Sequence, residues 1–297
     1  MAVAVRRVRV RLAAAAVLAA FSLGVVSPAA DAPQAVRLTP GQVALVRCRL
    51  PVDAAPSRLE CNGRNVQYFL GPEGYLNALI SEPCESRLIP YACRLHTSKG
   101  ELTLAKVTVQ KKVFPAVSLK VDPDKVTLSR KDAERVARER EIIAAVYRAG
   151  SAGTPYFAGP FMLPLEGEVT GAYGVRRVFN KRQRSRHLGT DFAADEGTPI
   201  RSSNRGRVVF TGNLFYAGNS VILDHGVGVF TIYAHLSRID VKESDVVDRG
   251  VVIGLSGRTG RVTGPHLHWG VRVMGELCDG RSLVSATASL PGPGRPR

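Results

Sequence analysis

The chain reads as mainly β, with two β units separated by one amphipathic helix. Three observations carry that reading. Short apolar runs broken by glycine-, proline- and asparagine-type turns fill residues 36–112 and recur from Phe161 to Met274. Between them, residues 129–149 alone show apolar positions at helical spacing. At 297 residues, with 45% hydrophobic and 22% charged residues, the chain can bury two cores and has ordinary globular composition. No repeat period marks a solenoid or propeller.

The N-terminus has the layout of an export leader, residues 1–30. Arg6, Arg7, Arg9 and Arg11 form a basic head, Leu12 to Val26 is an uncharged apolar run, and Ser27-Pro28-Ala29-Ala30 supplies small residues for cleavage. The apolar run is 15 residues long, short of the roughly 20 a spanning helix needs, so no stable membrane span is expected after cleavage. The mature chain is expected to be exported, into a compartment where disulfides are permitted. Cys48, Cys61, Cys84 and Cys93 fall in the first β unit, and Cys278 lies far from them. Pairing by proximity gives Cys48–Cys61 and Cys84–Cys93 with Cys278 free, among three possible connectivities. No CxxC is present, which argues against a zinc ribbon or thioredoxin-like centre.

Net charge is +16, or +12 without the four leader arginines. That balance favours a polyanionic partner, and export turns the choice from nucleic acid toward anionic lipid or an acidic wall polymer.

In order, residues 36–115 are expected to form a small β-sandwich-like accessory unit. Its strand candidates are Val43 to Val46, Val66 to Leu70 and Leu102 to Val109. The last alternates through Leu102 and Leu104, then slips by one residue to Val107 and Val109. His96 stands alone there and reads as a structural or surface residue. Phe114 to Thr127 is a connector. Ser129 with Asp132 three residues on opens the helix 129–149 as a weak capping box. Its stripe is Ala133, Val136, Ala137, Ile143, Ala144 and Tyr147, packed between domains, and Gly150 stops it. The second unit, 155–280, has strand candidates Val208 to Phe210, Ser220 to Leu223 and Val229 to Tyr233. A Pro/Gly/Arg-rich tail, 285–297, is expected to be disordered.

The chemistry concentrates in this second unit. His266 and His268 are separated by one residue in an extended apolar run, so both imidazoles share one strand face. His187 and Asp191 share a face if 187–191 is a strand, with Gly189 leaving room for an ion between them. Two nitrogens and one oxygen suit Zn²⁺ with an open fourth position, the pattern of a catalytic site. His235 follows the run Ile232-Tyr233-Ala234 at a strand end, and His225, in Asp224-His225-Gly226, reads as a turn residue. No HExxH occurs, so no glutamate base of that kind is available.

His187-x-x-x-Asp191, Tyr233-Ala234-His235-Leu236-Ser237 and Ser256 to His268 occur in the order found in the lysostaphin/LytM-type zinc peptidases, and the stretch from Phe161 to Met274 closely resembles that family. Phe192-Ala193-Ala194 and Gly197-Thr198-Pro199 share the likeness. The resemblance implies an antiparallel β-sheet peptidase domain, zinc on His187, Asp191 and His268, and catalytic roles for His235 and His266. It implies hydrolysis of peptide cross-links in bacterial peptidoglycan, with the peptide stems as partner and no nucleic acid. The opposing reading is a non-catalytic murein-binding or amidase-activating scaffold of the same fold, which is recognised by missing ligands. Asn180 and Tyr173 match positions of possible cleft residues. The chain departs from the family pattern at Trp269, where Phe is commoner, and at Leu277-Cys278-Asp279-Gly280, where an Asp-Pro ending is usual. The accessory unit either positions substrate or covers the cleft.

Overall fold

The computed structural model describes residues 32–71, 74–119, 128–179 and 183–292. The expected leader, Asn180 and residues 293–297 lie outside the described residues.

The first unit contains β1 (Gln34–Leu38), β2 (Val43–Arg49), β3 (Pro56–Cys61), β4 (Arg64–Val66), β5 (Phe69–Leu70), β6 (Tyr75–Ser81), β7 (Tyr91–Thr97) and β8 (Gly100–Val109). A five-stranded sheet, β1-β8-β7-β3-β4, faces a three-stranded sheet, β2-β6-β5. Both contribute to one core that includes Leu38, Val46, Leu59, Leu76, Ile80, Leu95 and Val107, which makes the unit a sandwich. The phase slip read in β8 is a β-bulge. Cys93 pairs with Ala105 and Arg94 with Thr103, which leaves Leu104 as the extra residue, and Leu104 and Ala105 are both buried.

The same register decides the disulfide. Cys61 and Cys93 are directly opposite across β3 and β7 and are bonded to each other. The expected pairs Cys48–Cys61 and Cys84–Cys93 are therefore not formed. Proximity in sequence misleads because Cys48 belongs to β2 in the facing sheet, whereas cross-strand pairing joins residues 32 apart. Cys278 is a free thiol, as expected.

A connector strand, β9 (Ala116–Leu119), leads to α1 (Arg130–Arg148). Ser129 caps α1 by accepting the Asp132 N–H at 3.1 Å. The helix does not lie between two domains. It packs on the second unit's sheet, where Ile143, Val146 and Tyr147 cover Phe210, Ile222 and Phe230. Ala133 and Ala137, expected in the apolar stripe, are exposed, and Val136 is the buried member.

The second unit contains β10 (Val169–Gly171), β11 (Arg176–Phe179), β12 (Gln183–Arg186), β13 (Thr190–Ala193), β14 (Pro199–Arg201), β15 (Gly206–Leu214), β16 (Gly218–Asp224), β17 (Phe230–Ile239), β18 (Val246–Val247), β19 (Val252–Ser256), β20 (His266–Val273), β21 (Glu276–Cys278) and α2 (Gly280–Thr287). Ten of its strands form one sheet built on β10-β13-β20-β17-β16-β15-β18, with β14, β19 and β21 branching from it. Every pair in it is antiparallel. The β11–β12 hairpin pairs instead with β9, in parallel, and so ties the connector to the second unit. α2 occupies part of the stretch expected as a tail from residue 285. Asp279 caps it, and Leu283 and Thr287 are buried.

The two units share a core. Val43 and Leu79 of the sandwich pack with Val271, Val273, Cys278 and Leu283. Ser81 Oγ donates to the Val273 carbonyl at 2.8 Å, and the Asp279 N–H donates to Gly41 O.

The two family departures are two halves of one contact. A Cβ on Gly280 would lie 2.5 Å from the Trp269 ring, so the larger indole is accommodated by an α2 that starts with glycine. Gly280→Ala is expected to cost about 1–3 kcal/mol through overpacking. In a Trp269→Phe background the same change should cost less, because the part of the indole ring that the new methyl would strike is gone. Urea unfolding of the four chains measures the coupling.

Behind the sheet, His225 is fully buried against Phe161. Its Nδ1–H donates to Arg205 O at 2.8 Å, and Nε2 accepts the Thr231 hydroxyl at 2.7 Å. This confirms a structural role. Burial, only partly offset by the Arg205 carbonyl, pushes His225 from 6.5 down to about 4. Below pH 6.5 the unfolded chain takes up a proton that the folded chain refuses. The stability from this group is therefore whole above 6.5 and is lost as pH falls to about 4, a loss of about 3 kcal/mol. Between pH 7 and 4, wild type should lose about that much more stability than His225→Gln in equilibrium denaturation.

Candidate metal and catalytic site

The site is assembled on one face of the large sheet by strand register. Asp191 of β13 stands directly opposite His268 of β20, and Ala234 of β17 stands opposite His268 on its other side. Along β20, Leu267, Trp269, Val271 and Val273 are buried in the core, which puts His266 and His268 on the opposite face.

His187 reaches the same point differently from the sequence expectation. It lies in the loop between β12 and β13, so 187–191 is not one strand. Gly189 does clear a space, but for a side chain: a Cβ there would lie 2.6 Å from His268 Nε2.

Three atoms converge. His187 Nε2 is 2.9 Å from Asp191 Oδ1 and 3.1 Å from His268 Nδ1, and His268 Nδ1 is 2.7 Å from Asp191 Oδ1. Among the described residues these three form a group able to hold a metal ion. His187 Nδ1 lies 2.9 Å from the Ala172 carbonyl. A carbonyl only accepts, so Nδ1 carries the proton and Nε2 offers a lone pair to the centre. Burial raises the Asp191 pKa, but the adjoining His187 and His268 imidazoles outweigh it, and the carboxyl stays ionised far below its usual range. Burial pushes His268 down, against the pull of Asp191.

His235 depends on a backbone irregularity. Simple alternation would turn it with Tyr233 into the core. Its φ of 64° and the register shifts of β17 on either side re-aim the side chain to the site face. Its ring centroid lies 4.8 Å from that of His266 and 5.9 Å from that of His268. The His235 N–H donates to Ala217 O. Nδ1 donates to Thr259 O at 2.9 Å, which leaves Nε2 unprotonated. Burial lowers its pKa to about 4, partly opposed by that carbonyl. His266 is held the same way, by the Gly264 carbonyl at 2.9 Å, with Nε2 3.9 Å from Asp191 Oδ1.

The five residues singled out in the sequence thus meet in one place. Tyr173 does not join them: it is buried and its hydroxyl donates to Leu277 O at 2.7 Å. Sequence reading missed Arg177. Its guanidinium, carried by β11, holds Asp191 Oδ2 at 3.2 Å. The only sequence signal was the Arg176-Arg177 pair, which reads as a surface charge run.

Residues 185–280 match the family model described as Peptidase family M23. The chain is 56% identical over 124 residues to the peptidoglycan DD-endopeptidase ShyA of Vibrio cholerae, a stretch covering 41% of this chain and 28% of that protein. It is 44% identical over 104 residues to the DD-carboxypeptidase/endopeptidase Mpg of Neisseria meningitidis serogroup B, covering 35% and 24%. The similarity thus spans about a quarter of the length of these curated relatives. A crystal structure of a candidate M23 peptidase from Pseudomonas aeruginosa superposes with a TM-score of 0.64 at 29% identity, covering 84% of this chain and 95% of that one. Site geometry, sequence and fold converge on one assignment: the C-terminal part of the chain, residues 185–280, is a peptidase family M23 domain.

Proposed function

We propose that this chain is an exported zinc endopeptidase that hydrolyses peptide cross-links of peptidoglycan in the periplasm or cell envelope. The observation that carries the reading is the convergence of three electron-pair donors with two further imidazoles on one sheet face. A matching relative named as a peptidoglycan DD-endopeptidase supplies the substrate class.

The donor set fits zinc. Two imidazole nitrogens and one carboxylate oxygen lie within hydrogen-bonding distance of one another, and His187 Nε2 has no proton to share. A cation satisfies all three at once. His187, Asp191 and His268 would hold it. Zinc supplies a Lewis acid for the scissile carbonyl and acidifies bound water.

The remaining work belongs to side chains of this chain. His266, with Nδ1 fixed on Gly264 O, presents Nε2 as the proton acceptor for the attacking water and returns that proton to the leaving amine. His235 stays neutral and presents Nε2 beside it, which orients the water by accepting its second hydrogen. Arg177 occupies the outer oxygen of Asp191 and leaves Oδ1 for the ion. The sandwich acts as a positioning module. Its contacts include Val273 and Glu276, at the far end of β20 from His266, and Glu85, which pairs with Arg186 beside His187.

Mass spectrometry of purified cross-linked peptidoglycan should show new monomeric muropeptides with wild type, and no products at all would overturn the reading. His266→Ala should retain zinc by elemental analysis while losing about 10²–10⁴-fold in rate. Asp191→Asn should lose the zinc itself. Arg177→Met should weaken zinc binding by roughly 10–100-fold in chelator competition, as expected when the partner of a ligand is removed. Unchanged affinity would reduce Arg177 to a surface charge.

A further inference from the structure

The sheet face that carries the histidines does not end with them. Along β20, alternation places His266, His268, Gly270 and Arg272 on that face. On β17 the paired residues are Ala234, Ile232 and Phe230. At the far end, α1 closes over Phe230, Ile222 and Phe210. Between the histidines and α1 lies a cavity of about 560 Å³. Val136, Ile143 and Ala144 of α1, Leu214 at the end of β15, Tyr216 of the following turn, and Arg272 line it. Its wall also includes Ala217, the residue whose carbonyl accepts the His235 N–H at 2.8 Å. The cavity therefore begins one main-chain hydrogen bond from a site histidine, on the sheet face that carries the imidazoles.

The cavity is apolar with a cationic end. The Arg272 guanidinium lies 4.2 Å over the Tyr147 ring, and among the described residues it makes no ion pair with a carboxylate. Arg140 and Arg148 stand at the rim of the same cavity. Glu139, the acidic residue in the lining, is already engaged by Arg135 at 2.6 Å and by the Phe215 N–H at 2.8 Å. The arginine is thus held in place by an aromatic ring, and among the described residues no acceptor takes its hydrogen-bonding edge. Arg in this state suits a planar carboxylate. Four residues along a strand span roughly 13 Å, so Arg272 lies about four extended peptide residues from His268.

We propose that this cavity is a substrate subsite. It takes a stretch of the cross-linked peptide a few residues from the scissile amide, with an apolar side chain against α1 and a free carboxylate on Arg272. The proposal rests on the endopeptidase reading for the direction of the substrate, and the binding test below does not depend on hydrolysis. It gives α1 a role as the groove's wall.

The probe is a fluorescently labelled, cross-linked stem peptide, made once with free carboxylates and once with those groups converted to carboxamides. Fluorescence anisotropy with the zinc-loaded His266→Ala chain should show the free acid binding about tenfold tighter. Arg272→Gln should erase that difference, Arg272→Lys should keep part of it, and Ala144→Trp, which fills the cavity, should weaken both forms. Thermal melts confirm that each variant is folded. Equal affinity for the two forms, or a preference that survives both Arg272→Gln and Ala144→Trp, overturns the subsite. Cleavage of the same peptides by the chain with His266 intact is read separately. Absence of products there counts against the endopeptidase reading, whereas loss of Arg272-dependent discrimination counts against the subsite alone.

Discussion

The site depends on the antiparallel register of β13 against β20. That pairing sets Asp191 directly across from His268, and a slip of one residue would send one of them into the core. The register is pinned from the back. Phe192, Leu267, Trp269 and Val271 are all nearly fully buried on the other face, so hydrophobic burial fixes which side chains meet in front. The three donor atoms then crowd within about hydrogen-bonding distance, at an electrostatic cost that only a cation or shared protons can offset. Around this point the chain spends backbone carbonyls in a consistent way. Ala172, Thr259 and Gly264 each take an Nδ1–H, which turns three Nε2 lone pairs toward the cleft. The tautomers are set by the fold before any ligand arrives.

Much of this was legible in the sequence because period-two alternation is a strong signal. His266 and His268 on one face follow from spacing alone, and the bulge in β8 shows as a phase slip at Leu104. What alternation cannot show is where the backbone leaves it. His187 belongs to a loop, and its meeting with Asp191 comes from the chain turning into β13, not from i,i+4 geometry on a strand. His235 reaches the site because a left-handed residue interrupts β17, and no local residue type announces that. Arg177 was illegible for a different reason. Its contact is made across the sheet edge by a hairpin that pairs with β9, a long-range event that leaves only a charge run in the sequence. The disulfide failed the same way, since Cys61 and Cys93 meet by cross-strand register.

The helix shows how tertiary context overrides a sound local reading. The cap at Ser129 and the limits of α1 came out as the sequence suggests. Its placement did not, because a mixed-charge amphipathic stripe states only that one face needs cover. The uncovered surface was the apolar end of the large sheet, where Phe210, Ile222 and Phe230 would otherwise face water. Covering it shifts the buried stripe toward Val146 and leaves Ala133 and Ala137 outside.

The accessory sandwich is not a bead on a string. Val43 and Leu79 complete the second unit's core beside Cys278 and Leu283, and β9 runs parallel to β11, the strand that carries Arg177. The sandwich therefore reaches the three-donor cluster through two steps: connector to hairpin, then hairpin to Asp191. A single rigid path from β9 to Asp191 Oδ2 would make the position of the Asp191 carboxylate sensitive to how the first unit is seated, although no sandwich residue needs to enter the cleft. The contacts at Val273 and Glu276 hold that seating at one end of β20, and Asp191 reads it at the other.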